Sequence, residues 1–269
     1  VVKKITWYLI IFISASLLLV LSSGFYKAMK VTYNAKVALD EKNSYEIKNR
    51  SAPEINPGNK SNSIRITILG DSIAKGTGDE KGQGFSGYIP QYFKNQTSKD
   101  IIVENAGIDG LRSAGLLEQL QSGILKSVIA DSDYILISIG GNDARSLLSS
   151  GELTKNDNFS TVLNRYLFNL KESVNLIRKL NNRCIIIVMG IYNPDQETDD
   201  SDTGLIKEWN FKTESIVDED TKSVFLDIYG VFKLNTSRYV APDRLHPNSA
   251  GYQAISLMIS KTVESILIK

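Results

Sequence analysis

At 269 residues, 42% of them hydrophobic, with 19 glycines and 6 prolines, the chain is composed like a globular protein and is long enough to bury an ordinary core. Lys and Arg number 31 against 30 Asp and Glu, a formal charge of +1. No basic stripe interleaved with aromatics is present, which excludes the electrostatic footprint of a nucleic-acid binder. The one cysteine, Cys184, excludes an internal disulfide and a cysteine-rich metal site; at the head of the apolar run Ile185-Ile186-Ile187-Val188 it reads as a small buried hydrophobe.

Residues 5–21 form an uncharged run of 17 residues rich in Leu, Ile and Phe. Lys3 and Lys4 precede it, Trp7 and Tyr8 lie near one border, and Phe25 and Tyr26 lie near the other. This length is at the short end of a spanning helix, roughly 17 to 25 residues, and exceeds the roughly 7 to 15 of a cleavable signal core. Residues 1–26 are therefore expected to be an N-terminal membrane helix, the alternative being a signal removed after Gly24, with Ser22 and Gly24 as the small residues of the cleavage site. Lys27, Lys30 and Lys36 offset Lys3 and Lys4, so charge alone leaves the orientation open. A short tail ahead of a large domain, together with scarce cysteine, points to a domain held outside the cytoplasm, or secreted if the segment is cleaved. Residues 27–62 are polar, without sustained period, and carry Pro53 and Pro57; they read as a linker. No internal repeat is present, so neither a solenoid nor a propeller is supported.

The folded body is expected over residues 63–269. It opens with Ile64-Arg65-Ile66-Thr67-Ile68-Leu69, a β-branched run that stops abruptly at Gly70-Asp71-Ser72. Taken alone, Ser72 here is a helix cap and Asp71 a turn residue. The glycines that follow do not make a phosphate loop, because Lys75 precedes Gly76 instead of following it, and G-x-S-x-G is absent because Ala74 stands two residues after Ser72. A short helix is expected near residues 86–95, with Tyr88, Ile89, Tyr92 and Phe93 on its apolar side. Strands follow at 101–105, 134–139, 185–189 and 223–228, with helices expected over 113–129, 163–180, 205–217 and from Pro247 onward, where Asn248 or Ser249 is the cap.

Short, nearly continuous apolar strands alternating with helices indicate a five-stranded parallel sheet covered on both faces, a three-layer α/β/α sandwich. Sites in such folds lie at the carboxyl ends of the strands. Those ends carry Gly70-Asp71-Ser72, Ala106-Gly107-Ile108-Asp109-Gly110 and Gly140-Gly141-Asn142-Asp143, and the last junction leads to Asp243-Arg244-Leu245-His246.

Acyl transfer by serine requires a hydroxyl, a base within hydrogen-bond reach and donors aimed at the oxygen that becomes negative. His246 is the single histidine of the chain, so a serine–histidine enzyme has no other base to use. Asp243 stands three residues before it, where one turn brings a carboxylate to the ring, and Pro242 and Pro247 restrict that turn. Gly107 and Gly110 both qualify as backbone donors, and Asn142 offers a side-chain amide; Asp143 reads as the scaffold of its loop. The acidic stretch 195–202 lacks the spacing of a calcium loop and reads as a solvated loop, so neither a metal nor a cofactor is expected.

Gly70-Asp71-Ser72, Gly110, Gly140-Gly141-Asn142-Asp143 and Asp243-Arg244-Leu245-His246-Pro247, in this order, resemble the four signature blocks of the SGNH (GDSL) hydrolase family. The resemblance covers residues 64–269 and implies a flavodoxin-like fold. It implies Ser72 as nucleophile, His246 as base and Asp243 as its partner. The oxyanion hole it implies is the Ser72 and Gly110 backbone N–H groups with the Asn142 amide, Gly107 remaining the alternative donor. The activity implied is that of a metal-free esterase, acting on a short acyl group of a cell-envelope glycan or on a lipid or lysophospholipid. An acyltransferase using the same triad, and a non-catalytic membrane-tethered binder of glycan or protein, are the alternatives.

Overall fold

The computed structural model describes residues 62–94, 97–148, 156–194 and 200–267. The chain divides into two units, Val1–Ile55 and Asn56–Lys269, and every described residue belongs to the second. The expected membrane helix and nearly all of the expected linker lie outside the described residues. Among the described residues no helix is long and apolar enough to cross a membrane.

Five strands, β1 (Ser63–Gly70), β2 (Asp100–Gly107), β3 (Tyr134–Ser138), β4 (Ile185–Met189) and β5 (Ser223–Leu226), pair in parallel in the order β2-β1-β3-β4-β5. The helices are α1 (Ser72–Lys75), α2 (Gly84–Phe93), α3 (Ser113–Ser122), α4 (Lys126–Ala130), α5 (Gly141–Leu148), α6 (Asn156–Leu180), α7 (Asp200–Val217), α8 (Tyr229–Tyr239) and α9 (Ser249–Leu267). Successive strand residues point to opposite faces, and the sequence exploits this period of two. Ile135, Ile137, Ile186 and Val188 enter one apolar cluster with Leu163, Tyr166 and Trp209 of α6 and α7. Leu136, Ile187 and Met189 enter another with Phe85 and Ile89 of α2 and Tyr252, Ile255 and Ile259 of α9. Because both faces bury hydrocarbon, the strands read as continuous apolar runs, each fully buried side chain contributing roughly 1.5–3 kcal/mol.

The strand order reverses between β1 and β3, and a doubly wound sheet opens a crevice at that point. Gly70 closes β1 there, opposite Gly107 of β2 and Ser138 of β3. Its φ is +129°, and an added Cβ would lie 1.8 Å from the Ser138 carbonyl oxygen, so only glycine lets the chain turn out of the sheet at this point. Immediately beyond, the Asp71 N–H donates to that carbonyl oxygen at 2.9 Å.

Several elements differ from the sequence expectation. The helix expected over 113–129 is two, because Gly123 ends α3 in the left-handed conformation with φ +76°. The fifth strand stops at Leu226, and α8, unassigned from sequence, follows; its interior carries a non-helical residue, Asn235. The Gly141-Asn142-Asp143 segment is the first turn of α5 and not a free loop. At the last helix Asn248 is the cap, its Oδ1 accepting the Gly251 N–H at 3.0 Å. Cys184 is buried and unpaired with any other cysteine.

Candidate active site

Ser72 is the first residue of α1, and the cap of that helix is Asp71, not Ser72. The Asp71 Oδ1 accepts from the Ile73 N–H at 3.0 Å, the Ala74 N–H at 3.5 Å and the Ser138 hydroxyl at 3.3 Å. With its cap supplied by the preceding residue, the Ser72 hydroxyl is available for another partner. Burial pushes the Asp71 carboxyl up to about 6, against the opposing pull of those hydrogen bonds and of nearby His246.

That partner is His246. Its Nε2 lies 2.8 Å from Ser72 Oγ, and its Nδ1 lies 2.7 Å from Asp243 Oδ2. Asp243 serves two purposes with its two oxygens, since Oδ1 accepts the backbone N–H of Leu245 at 2.9 Å and of His246 at 3.0 Å. One oxygen therefore closes the turn while the other orients the ring. Desolvation pushes the Asp243 carboxyl up, but the hydrogen bonds from the His246 ring and from the two backbone N–H groups outweigh it and hold the group below its ordinary value. Arg244, inside this turn, is held at φ +56°, a conformation that costs about 1–2 kcal/mol for a side chain with a Cβ. The segment is fastened at its base by the Ala241 N–H donating to the His246 carbonyl at 2.8 Å and by a bridge from Val240 to Pro247.

Of the expected donors, Asn142 lines the same cavity as Ser72 and His246, and its Nδ2 donates to the Leu111 carbonyl at 3.0 Å, which fixes the orientation of its amide. Gly107 and Gly110 are distinguished by their surroundings. The Gly107 N–H is engaged by Asn105 Oδ1 at 2.9 Å. Gly110 occupies an exposed turn at φ +74°, outside the residues that line the cavity, beside Leu111 whose carbonyl holds Asn142. The neighbouring Asp109 accepts from Lys75 Nζ at 2.5 Å and Thr77 Oγ1 at 2.6 Å, tying this turn to the end of α1. Asp143 is a scaffold: its carboxylate accepts the N–H and the hydroxyl of Ser113, at 3.0 and 2.6 Å, and so joins the first turn of α5 to the start of α3.

Ser72 and His246 open into a cavity of about 530 Å³ that also touches Ile139, Met189, Ile191, Tyr192 and Ile206. Two contributors were not singled out by sequence reasoning. Tyr192, just beyond β4, donates its hydroxyl to the Leu245 carbonyl at 2.6 Å and stacks on Phe232 at 4.0 Å, bracing the residue before His246. Asp79 accepts from the Gln83 and Gly84 N–H groups at 2.8 and 2.7 Å and from the hydroxyl of Ser249, while Glu80 accepts the Ser249 N–H at 2.9 Å. These bonds bind the loop after Ser72 to the helix that follows His246. Neither residue belongs to a recognisable spacing; their partners are 53 and 170 residues away, a separation local patterns do not carry. Among the described residues no group of His, Cys, Asp or Glu is arranged to hold a metal ion, and positions 195–199 of the acidic stretch lie outside them.

A doubly wound sheet with a serine, an imidazole and a carboxylate in one hydrogen-bonded line at its switch point has the architecture of a serine hydrolase. Residues 68–254 match the GDSL-like Lipase/Acylhydrolase family, and the chain belongs to that family of carboxylic ester hydrolases. The chain is 29% identical over 208 residues to the uncharacterized protein YpmR of Bacillus subtilis (strain 168), covering 75% of this chain and 82% of YpmR. It is 27% identical over 202 residues to the spore germination lipase LipC of Bacillus licheniformis, covering 72% of this chain and 93% of LipC. Among solved structures, the lipase Lip_vut3 from a goat rumen metagenome superposes with a TM-score of 0.67 at 23% identity, covering 73% of this chain and 95% of Lip_vut3.

Proposed function

We propose that this esterase works through an acyl-enzyme, with Ser72 as nucleophile, His246 as general base and then acid, and Asp243 as the partner of the imidazole. The observation that carries the reading is the unbroken line from Asp243 Oδ2 through the His246 ring to Ser72 Oγ, with separations of 2.7 and 2.8 Å. Ser72 Oγ attacks the ester carbonyl carbon as its proton passes to Nε2; collapse of the tetrahedral intermediate returns that proton to the departing alkoxide, and water repeats the sequence on the acyl-enzyme. Asp243 holds the proton-bearing nitrogen in place and stabilises the imidazolium. The Ser72 and Gly110 N–H groups and the Asn142 amide are the oxyanion donors in this reading. Gly110 is preferred over Gly107 because the N–H of Gly107 is already bonded to Asn105.

The test is hydrolysis of p-nitrophenyl acetate by the purified chain and by Ser72→Ala. The variant is expected to lose at least about 10⁴-fold in kcat with its circular dichroism spectrum unchanged. Equal rates would remove the serine mechanism.

Residues 1–26 are proposed to tether the body, residues 63–269, to a membrane through the linker 27–62, with the body on the outer side. The apolar run at 5–21 supports this. Protease added to intact cells should then remove the body, and complete protection would overturn the placement.

A further inference from the structure

The cavity beside Ser72 is far larger than an acetyl group requires, and its shape follows from the sheet. Ser72 stands at the end of β1, and the lining residues continue to Ile139 past β3, to Met189, Ile191 and Tyr192 at β4 and beyond, and to Ile206 on α7. The cavity thus crosses two inter-strand spacings, about 10 Å, away from the serine and on the side opposite β2. Its volume of about 530 Å³ is that of a site for a ligand of many heavy atoms.

The walls are mainly aliphatic, and the polar side chains that line them away from the serine, Arg145, Asn193 and Arg244, each hold an interaction of their own. Ile139 and Met189 are each 2% exposed and are fixed in the two apolar clusters of the body, so this part of the floor is packed core and not a pliable surface. The one aromatic ring on this side, Tyr192, stacks on Phe232 and donates its hydroxyl to the Leu245 carbonyl, so it presents neither an open platform nor a spare donor to a sugar. Hydroxyl-rich ligands need several convergent polar partners, because any hydroxyl buried without one costs free energy. Near the serine the Ser138 hydroxyl donates to Asp71, and the Asn142 amide, held by the Leu111 carbonyl, is assigned to the oxyanion, while an alkyl chain needs no partner at all.

We infer that this cavity is an acyl-chain pocket, and that the substrates are esters of linear aliphatic acids of medium length, not acetylated sugars. The inference rests on the reading of Ser72 as nucleophile, since the acyl carbonyl must sit at that hydroxyl for its chain to run over Ile139 and Met189 toward Ile206. In this pose the methylenes between the carbonyl and α7 lie against the aliphatic wall.

The test is a series of p-nitrophenyl esters from acetate to decanoate, kept below their micellar concentrations, with the full-length chain. All members share one leaving group, so only the acyl chain varies. Burial predicts that kcat/KM rises by up to about fourfold for each added methylene, the limit for full burial, and by at least about 50-fold over the methylenes from acetate to octanoate. Acetate equal to or better than octanoate would overturn the pocket while leaving the esterase intact; equal rates for Ser72→Ala and the native chain would instead remove the mechanism beneath it. Ile206→Trp, with the smaller step Ile206→Phe should the first not fold, is expected to lower the octanoate-to-acetate ratio of kcat/KM at least tenfold. An unchanged ratio in a folded variant would overturn the assignment, as would faster release of acetate from an acetylated oligosaccharide than of octanoate from monooctanoylglycerol.

Discussion

Asp71 illustrates how a single side chain is kept at a cost to the fold. Its carboxyl caps α1 and accepts from Ser138, yet it is 3% exposed, and burial raises it from its ordinary 3.8 to about 6. The native state therefore holds this proton more tightly than the unfolded chain does. Stability contributed by the protonated form is fully present below about pH 4 and is lost as pH rises through about 6. At neutral pH the ionised group costs on the order of 3 kcal/mol. Asp71→Asn keeps an oxygen for the Ile73 N–H and removes the charge. It is expected to melt at or above the native temperature at pH 7.5, with the advantage vanishing near pH 4. Differential scanning calorimetry at the two pH values reads this directly, and an asparagine variant less stable at pH 7.5 would contradict it. The neighbouring histidine gives such a charge a reason to persist, since proteins retain destabilising groups chiefly where the site needs them.

At the scale of elements, the two loops that bear Ser72 and His246 are pressed together at Gly78. This glycine has φ +93°, and an added Cβ would lie 2.5 Å from His246 Cβ and 2.7 Å from the Pro247 carbonyl oxygen. Gly78→Ala is therefore expected to push the imidazole from the serine. A displacement near 1 Å corresponds to a loss of about 100-fold in kcat/KM, with far-ultraviolet circular dichroism preserved. Activity within threefold of native would show that the loops give way without moving the ring. Much of this arrangement is legible from residue order. Parallel strands buried on both faces must be continuously apolar, so β3 and β4 announce themselves, and a single histidine with an aspartate three residues earlier leaves few ways to build a base. What escapes is set by tertiary partners: α8 is amphipathic only weakly and carries the irregular Asn235, and Gly123 divides a segment whose apolar spacing continues on either side. Tyr192 and Asp79 brace the site through bonds to Leu245 and Ser249, and no local pattern encodes such distant partners.

Across the described body, a further set of fastening bonds lies at the edge of the sheet opposite the site. Near the amino ends of β4 and β5, Arg178 of α6 reaches the Asp220 carboxylate at 2.7 Å, the Cys184 carbonyl at 2.7 Å and the Lys222 carbonyl at 2.8 Å. One guanidinium thus joins the end of a helix to the segments entering two strands, a task for which lysine lacks the fixed fork of donors. Arg178→Ala strands those carbonyls and is expected to cost roughly 2–3 kcal/mol, lowering the melting temperature by about 5–10 °C. The kcat of the surviving folded fraction should be unchanged, measured well below the melting temperature. A loss of kcat without a loss of stability would mean that the two edges are coupled.

The separation of 174 residues between Ser72 and His246 bears on how the enzyme is made. A ribosome delivers the serine, with its capped helix, long before it delivers the imidazole, and α9, which follows His246, carries Tyr252, Ile255 and Ile259 into the cluster beneath the site. In the proposed mechanism a polypeptide that has emerged only as far as residue 245 therefore holds a hydroxyl with no base to activate it. Under the proposed mechanism a product terminated before His246 is inert toward the esters around it.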